Sequence, residues 1–208
     1  MNFKQILLVS LKKPANLPET LSPLKLKLNT IVEGAFFVAA TTSLLNSSLD
    51  KLIFRSSENA SKLLENNSLS FIFNPLSMFA FELIFIIAVM GSILFFSNFS
   101  NQKVSIEELG KNVLCLFLVT FVFKFAQVLS LVFSFDLYYI LRFFELLWFI
   151  WALSYVVSIL YKFKSVLLTA FLGAVTISLT MGSLFMIFVS ILQYFLIGNQ
   201  SNVWSFRI

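Results

Sequence analysis

Five long apolar stretches, separated by short polar breaks, dominate this chain. They fall at about 26–45, 76–97, 112–134, 137–161 and 166–192. Each approaches or exceeds the roughly 20 residues that carry a helix across about 30 Å of hydrocarbon. Period-two alternation appears only at Leu24-Lys25-Leu26-Lys27-Leu28 and stops there. The lysines of that stretch can snorkel from a helix end, so a helix is favoured over a strand. The pattern predicts an all-α polytopic membrane protein: a five-helix transmembrane bundle, N-terminus inside and C-terminus outside. The last apolar run, Val166–Ile197, is longer than one span needs. A turn at Met181-Gly182-Ser183 would leave only about 15–16 residues for each of two crossings. One long or tilted helix is therefore expected.

The polar segments give the chain its orientation. Residues 1–25 form a basic segment, and Phe3, Ile6, Leu7 and Leu11 lie at helical spacing between Lys4 and Lys12. That suits a short interfacial helix with its lysines against anionic lipid headgroups. Pro14, Pro18 and Pro23 interrupt any helix and predict an irregular cytoplasmic collar over 14–23. Residues 46–75 are expected to be an external loop, with Leu49, Leu52, Ile53, Leu63 and Leu64 able to support a short amphipathic helix. Residues 198–208 form a short external tail. In this topology nine Lys and Arg residues lie inside and four outside, which obeys the positive-inside rule. No cleavable signal peptide is expected, because Ile6–Leu11 is too short for an h-region.

Composition reinforces the pattern. The chain is 59% hydrophobic and 12% charged, with 27 phenylalanines. A soluble domain carries roughly 25% charged residues, so this one could not cover its apolar surface in water. The bilayer is its first partner. The net charge is +5, and five lysines against Glu19 alone fall in the first thirty residues, with no folded basic face that would suit nucleic acid. The vocabulary points to a bacterial cytoplasmic membrane. Cys115 is the single cysteine and there is no histidine. An intrachain disulfide, a His-based triad and a His-ligated zinc are therefore excluded. No glycine-rich phosphate loop occurs either. The expectation is a non-enzymatic protein with no cofactor and no metal.

The informative residues are the charges inside apolar segments: Glu82, Lys124, Arg142 and Glu145. A lysine at the centre of a spanning helix costs about 2.5–3.5 kcal/mol on the insertion scale. Lys124 should therefore face protein or water. Counted along their helices, Glu82 and Glu145 lie about 9 and 12 Å below one membrane face, within reach of a snorkelling lysine. Arg142 is an i,i+3 neighbour of Glu145, and Gln127 is one turn from Lys124. These five residues are expected to form one cluster whose four charges cancel. Two roles fit it: a proton, ion or substrate site, or a charge-balanced clamp that fixes helix register.

The last helix adds Ala170, Ala174, Ser178 and Gly182 at four-residue spacing, with Gly173 beside them. Such small residues let helix backbones approach closely, within the chain or between chains. Trp148, Trp151, Phe143, Phe144 and Phe149 on the fourth helix suit lipid contact and packing.

A basic N-terminal helix, the proline-marked SLKKPANLPETLSPLK and the loop NQKVSIEELGKNVL with its Ser-x-x-Glu-Leu start precede or link these spans. In this order of elements the chain resembles the Yip-domain superfamily of five-span membrane proteins. It is also similar to a related bacterial group associated with maltodextrin utilisation. The resemblance implies an all-α, non-enzymatic protein and carries over no functional residues. The reading is an accessory or scaffold subunit that binds another membrane protein or itself within the bilayer. The alternative is a small transporter or permease component that uses the charge cluster.

Overall fold

Caps and prolines decide where the rods begin. The structure, a computed structural model, describes residues 3–55, 74–96, 100 and 102–201. It is all-helical among these residues: α1 Phe3–Lys12, a 3-10 turn Pro14–Asn16, α2 Leu17–Leu21, α3 Leu28–Arg55, α4 Pro75–Phe96, α5 Ile106–Leu131, α6 Phe135–Tyr161 and α7 Val166–Ser201. The last five are each long and apolar enough to span a membrane. An Asn or Ser side chain accepts a backbone N–H at the start of four of them. These are Asn74 Oδ1 from Leu76, Ser105 Oγ from Glu108, Ser134 Oγ from Leu137 and Ser165 Oγ from Leu168, at 3.0–3.2 Å. Each bond satisfies an amide that the helix itself leaves without a partner. α6 ends at Lys162, whose left-handed φ of 53° lets Phe163 N–H reach back to Ser158 O.

The five long helices close a ring in the order α3, α4, α7, α6, α5, and back to α3. Inside it, Phe85, Phe117 and Phe149 meet at centroid distances of 5.1–6.1 Å. This aromatic knot joins α4, α5 and α6 at the centre of the bundle. α3 and α5 pack closely at two glycines. A Cβ added to Gly34 would lie 2.6 Å from Leu114, and one added to Gly110 would lie 2.8 Å from Ile31. Glycine is what lets these two rods come together.

Several boundaries depart from expectation. The first span does not end at 45: α3 continues to Arg55, so residues 46–55 belong to a helix and not to an external loop. Ser47 and Leu49 are buried there, and Asn46 and Asp50 face the bundle while Ser48 and Lys51 are exposed. Leu49, Leu52 and Ile53 therefore lie in α3, while Leu63 and Leu64 fall outside the described residues. α5 starts six residues before 112, because Ser105 caps it. α7 is one helix, without a turn at 181–183, and residues 198–201 extend it instead of forming a tail.

The N-terminal segment also differs. The collar at 14–23 is two short helical turns, not irregular chain. α1 packs against α5 rather than lying apart on lipid. Ile6 and Leu7 join the core, Ser10 is fully buried, and Leu17 and Leu21 are its deepest residues from this segment. Two polar ties fix it. Trp148 Nε1 donates to Leu11 O at 3.2 Å, and Lys111 Nζ donates to Leu21 O at 3.0 Å and Leu24 O at 3.4 Å. Lys111 thus supplies a cation to the open carbonyl end of α2.

Candidate functional site

The intramembrane charges lie where α3, α4, α5 and α6 enclose a cavity of about 690 Å³. It is placed toward the end of the bundle where α3 finishes and α4 begins. Lys124 sits seven residues before the end of α5, about 10 Å from that end at 1.5 Å per residue.

One part of the expected cluster forms as anticipated. Lys124 Nζ lies 2.9 Å from Glu145 Oε2, and both side chains are 10% exposed. Gln127 Nε2 donates to the same oxygen at 2.6 Å. The carboxylate is therefore held from two helical positions one turn apart on α5. The charges are buried and paired, the condition under which low dielectric tolerates them.

The rest of the cluster divides differently. Arg142 does not join Glu145. Its Nη1 donates to Tyr138 OH at 2.9 Å, its guanidinium lies 5.9 Å from the Tyr138 ring centroid, and Asp50 Oδ1 is 3.6 Å away. An i,i+4 partner on its own helix and a carboxylate on α3 outcompete the i,i+3 carboxylate, which Lys124 already neutralises. Glu82 accepts from Asn46 Nδ2 at 3.0 Å and forms no ion pair among the described residues. It lies half-buried on α4, facing the cavity.

The first-helix residues Thr42, Asn46 and Asp50 were not anticipated. They lie at i, i+4 and i+8 of α3 and line one wall of the cavity. Their signal was present as a period-four polar stripe, but the polar run 46–51 resembles a loop. With Asp50 included, three carboxylates face two cations, so the expected cancellation fails and one formal negative charge remains. Thr42 lines the cavity, with its Oγ1 itself buried and without a hydrogen-bond partner; Gln127 Oε1 on α5 is also buried and unpaired. Among the described residues no group of three or more His, Cys, Asp or Glu side chains is arranged to hold a metal ion.

Within the chain, Gly173 and Gly182 of α7 make no close helix contact. A Cβ on Gly173 or Gly182 would meet nothing within 4 Å. Ala170, Gly173, Ala174 and Ser178 instead border a second cavity, of about 200 Å³, between α4, α6 and α7. Gly182 lies beyond it and is exposed. α7 meets α4 through the Ser92 Oγ···Thr180 Oγ1 contact at 3.2 Å, and Leu167, Leu168, Phe171, Leu172, Val175, Leu179 and Met186 face outward.

No family model matches this chain. No curated protein and no solved structure matches it either. None of these comparisons identifies a Yip-domain family.

Proposed function

We propose that the chain is a small multi-pass membrane protein whose end-facing cavity receives a cation-bearing solute, as a transporter or permease component would. The observation that carries this reading is Glu82. Its carboxylate faces the cavity and accepts from an amide without an ion pair among the described residues, and the described lining carries three carboxylates against two cations. Uncompensated charge in a bilayer is costly, and a positively charged ligand group removes that cost. Lys124, Gln127 and Glu145 act beneath as the register clamp, so the two roles weighed for one cluster belong to two halves of it.

Cysteine accessibility tests the reading. In a Cys115→Ser background, Thr120→Cys places a thiol on the cavity wall. A water-soluble maleimide applied to intact vesicles should label it, and Glu82→Gln should leave that labelling intact while abolishing solute-dependent protection. A wall position that stays unlabelled from both sides rules out a watered cavity.

A second reading, an accessory subunit that binds within the bilayer, is supported by α7. Leu167, Phe171, Leu179 and Met186, all more than 60% exposed, give it a broad outward apolar face. Disulfide crosslinking through Leu179→Cys in the same background tests self-association through that face.

A further inference from the structure

The N-terminal segment carries charge far along the bundle. Trp148 is the midpoint of α6, about 20 Å from either end at 1.5 Å per residue. Its indole N–H donates to Leu11 O. A helical side chain leans toward the N-terminus of its own helix. That of Trp148 therefore leans away from the turn between α6 and α7, which puts Leu11 at about half the height of the bundle. Lys12 and Lys13 come next, and both are exposed. From there the chain descends. The 3-10 turn Pro14–Asn16 packs on α6, and Leu21 O accepts from Lys111, about 8 Å from the start of α5. α1 rests on α5, and α2 rests on both helices. The segment thus fills the outer groove between α5 and α6, with the lysine pair on its outer surface.

The surface beside it makes the opposite demand. α7 leaves the same bundle end with Leu167, Leu168 and Phe171 exposed. Those side chains call for hydrocarbon within about 8 Å of the start of α7. Lys12 and Lys13 call for water or anions at about 20 Å from that end. Snorkelling along a four-carbon stem recovers only part of the difference. A cation that remains below the surface draws water inward or thins the leaflet around it. The aromatic residues agree. Trp151 and Tyr155 lie on the same face of α6 as Trp148, one and two turns nearer the end, and meet edge to face at 5.3 Å. Trp151 is exposed and Tyr155 half-buried. Trp and Tyr collect where hydrocarbon meets headgroups. They mark that boundary at about 9–15 Å above the end of α6.

An adjacent pair of ammonium groups suits phosphate, which lysine binds as a point charge. Lipid headgroups are the phosphates that a bilayer can bring to this height. We propose that Lys12 and Lys13 seat the phosphate of an anionic phospholipid below the level of the surrounding leaflet, which is thinned beside α5 and α6 and keeps its depth beside α7. Leu8 and Leu11, exposed on the same segment, give the lipid an apolar contact. Neither lysine lines the charged cavity, so this seat does not rest on the cation-site reading.

The test uses full-length protein in nanodiscs of phosphatidylcholine doped with phosphatidylglycerol of the same chains. Native mass spectrometry counts the lipid retained, and wild type should keep phosphatidylglycerol in preference. Lys12→Gln/Lys13→Gln should cut that preference about tenfold or more, the scale of two lysines at an anionic surface. Lys25→Gln/Lys27→Gln makes the same change of charge at the bundle end and should leave most of the preference. Equal loss from both pairs marks a diffuse basic collar and overturns the seat. Thiol labelling reads the depth. In a Cys115→Ser background, a water-soluble maleimide should modify Lys13→Cys about tenfold faster or more than Phe171→Cys, because the reactive thiolate forms where water reaches. Phe171 lies nearer the bundle end, so equal or reversed rates overturn the thinning. Fast labelling without lipid preference means that water alone meets the lysines, which overturns the phosphate seat. All the substituted lysines and Phe171 are exposed, so the fold should be kept.

Discussion

Replacing Lys124 with Met tests whether the buried ion pair holds α5 against α6. The substitution keeps the length of the side chain and removes its charge, leaving Glu145 enclosed with only Gln127 Nε2 against it. Removing one partner of a buried pair costs about 3–5 kcal/mol, because the other charge stays desolvated. The short bond from Gln127 persists, so the low end, about 3 kcal/mol, is expected. For a chain of this size that corresponds to a melting point lower by about 6–12 °C. The pair itself should be worth far less than its breakage suggests. Lys124→Met/Glu145→Met removes both charges and should recover most of the loss, since apolar replacement of buried pairs is commonly neutral or stabilising. Thermal unfolding of wild type, Lys124→Met, Glu145→Met and the double variant in lipid nanodiscs gives the coupling directly. A single variant as stable as wild type would show that these groups are hydrated. A double variant as unstable as the single would show that the loss comes from packing, not from the orphaned charge.

Four further outcomes are expected. Gly110→Val should destabilise by about 1–3 kcal/mol by overpacking against Ile31, whereas Gly173→Ala should be neutral or stabilise by up to about 1 kcal/mol, as alanine does inside a helix; paired melting curves decide between them. Lys111→Ala should cost about 1.5–3 kcal/mol by removing the charged donor to Leu21 and Leu24, and limited proteolysis after Lys25 and Lys27 should quicken. Trp148→Phe deletes the hydrogen bond to Leu11 O at a cost of about 1 kcal/mol, seen as faster tryptic cleavage at Lys12 and Lys13, with an unchanged rate refuting that tie. Ser105→Ala should lose about 1 kcal/mol from the start of α5, measured as faster amide exchange at Glu107 and Glu108.

The rods themselves were legible because a membrane leaves little choice. Lipid offers the backbone no partners, so a run such as Pro75–Phe96 is a helix almost by elimination. Lys124 with Gln127 and Glu145 was legible for the related reason that isolated charge there is intolerable. The far wall of the cavity was not. Asn46 and Asp50 look like the end of a span to any argument from hydropathy, since hydropathy cannot tell polarity turned toward a cavity from polarity turned toward water. The partner of Arg142 was hidden likewise: Asp50 competes with Glu145 only once α3 is known to reach that far. The small residues of α7 were read by a spacing rule that describes either a close contact or a vacancy. Only the depth of the space beside Gly173 distinguishes them.

The bond between Trp148 and Leu11 joins residues 137 apart. At a synthesis rate of about 5–20 residues per second, roughly 7–27 s pass between the making of the two ends of that bond. The earlier-made segment is thus docked only after α5 and α6 have been threaded. A chain truncated before α6 would leave α1 and α2 without that dock, open to proteases that the finished molecule excludes.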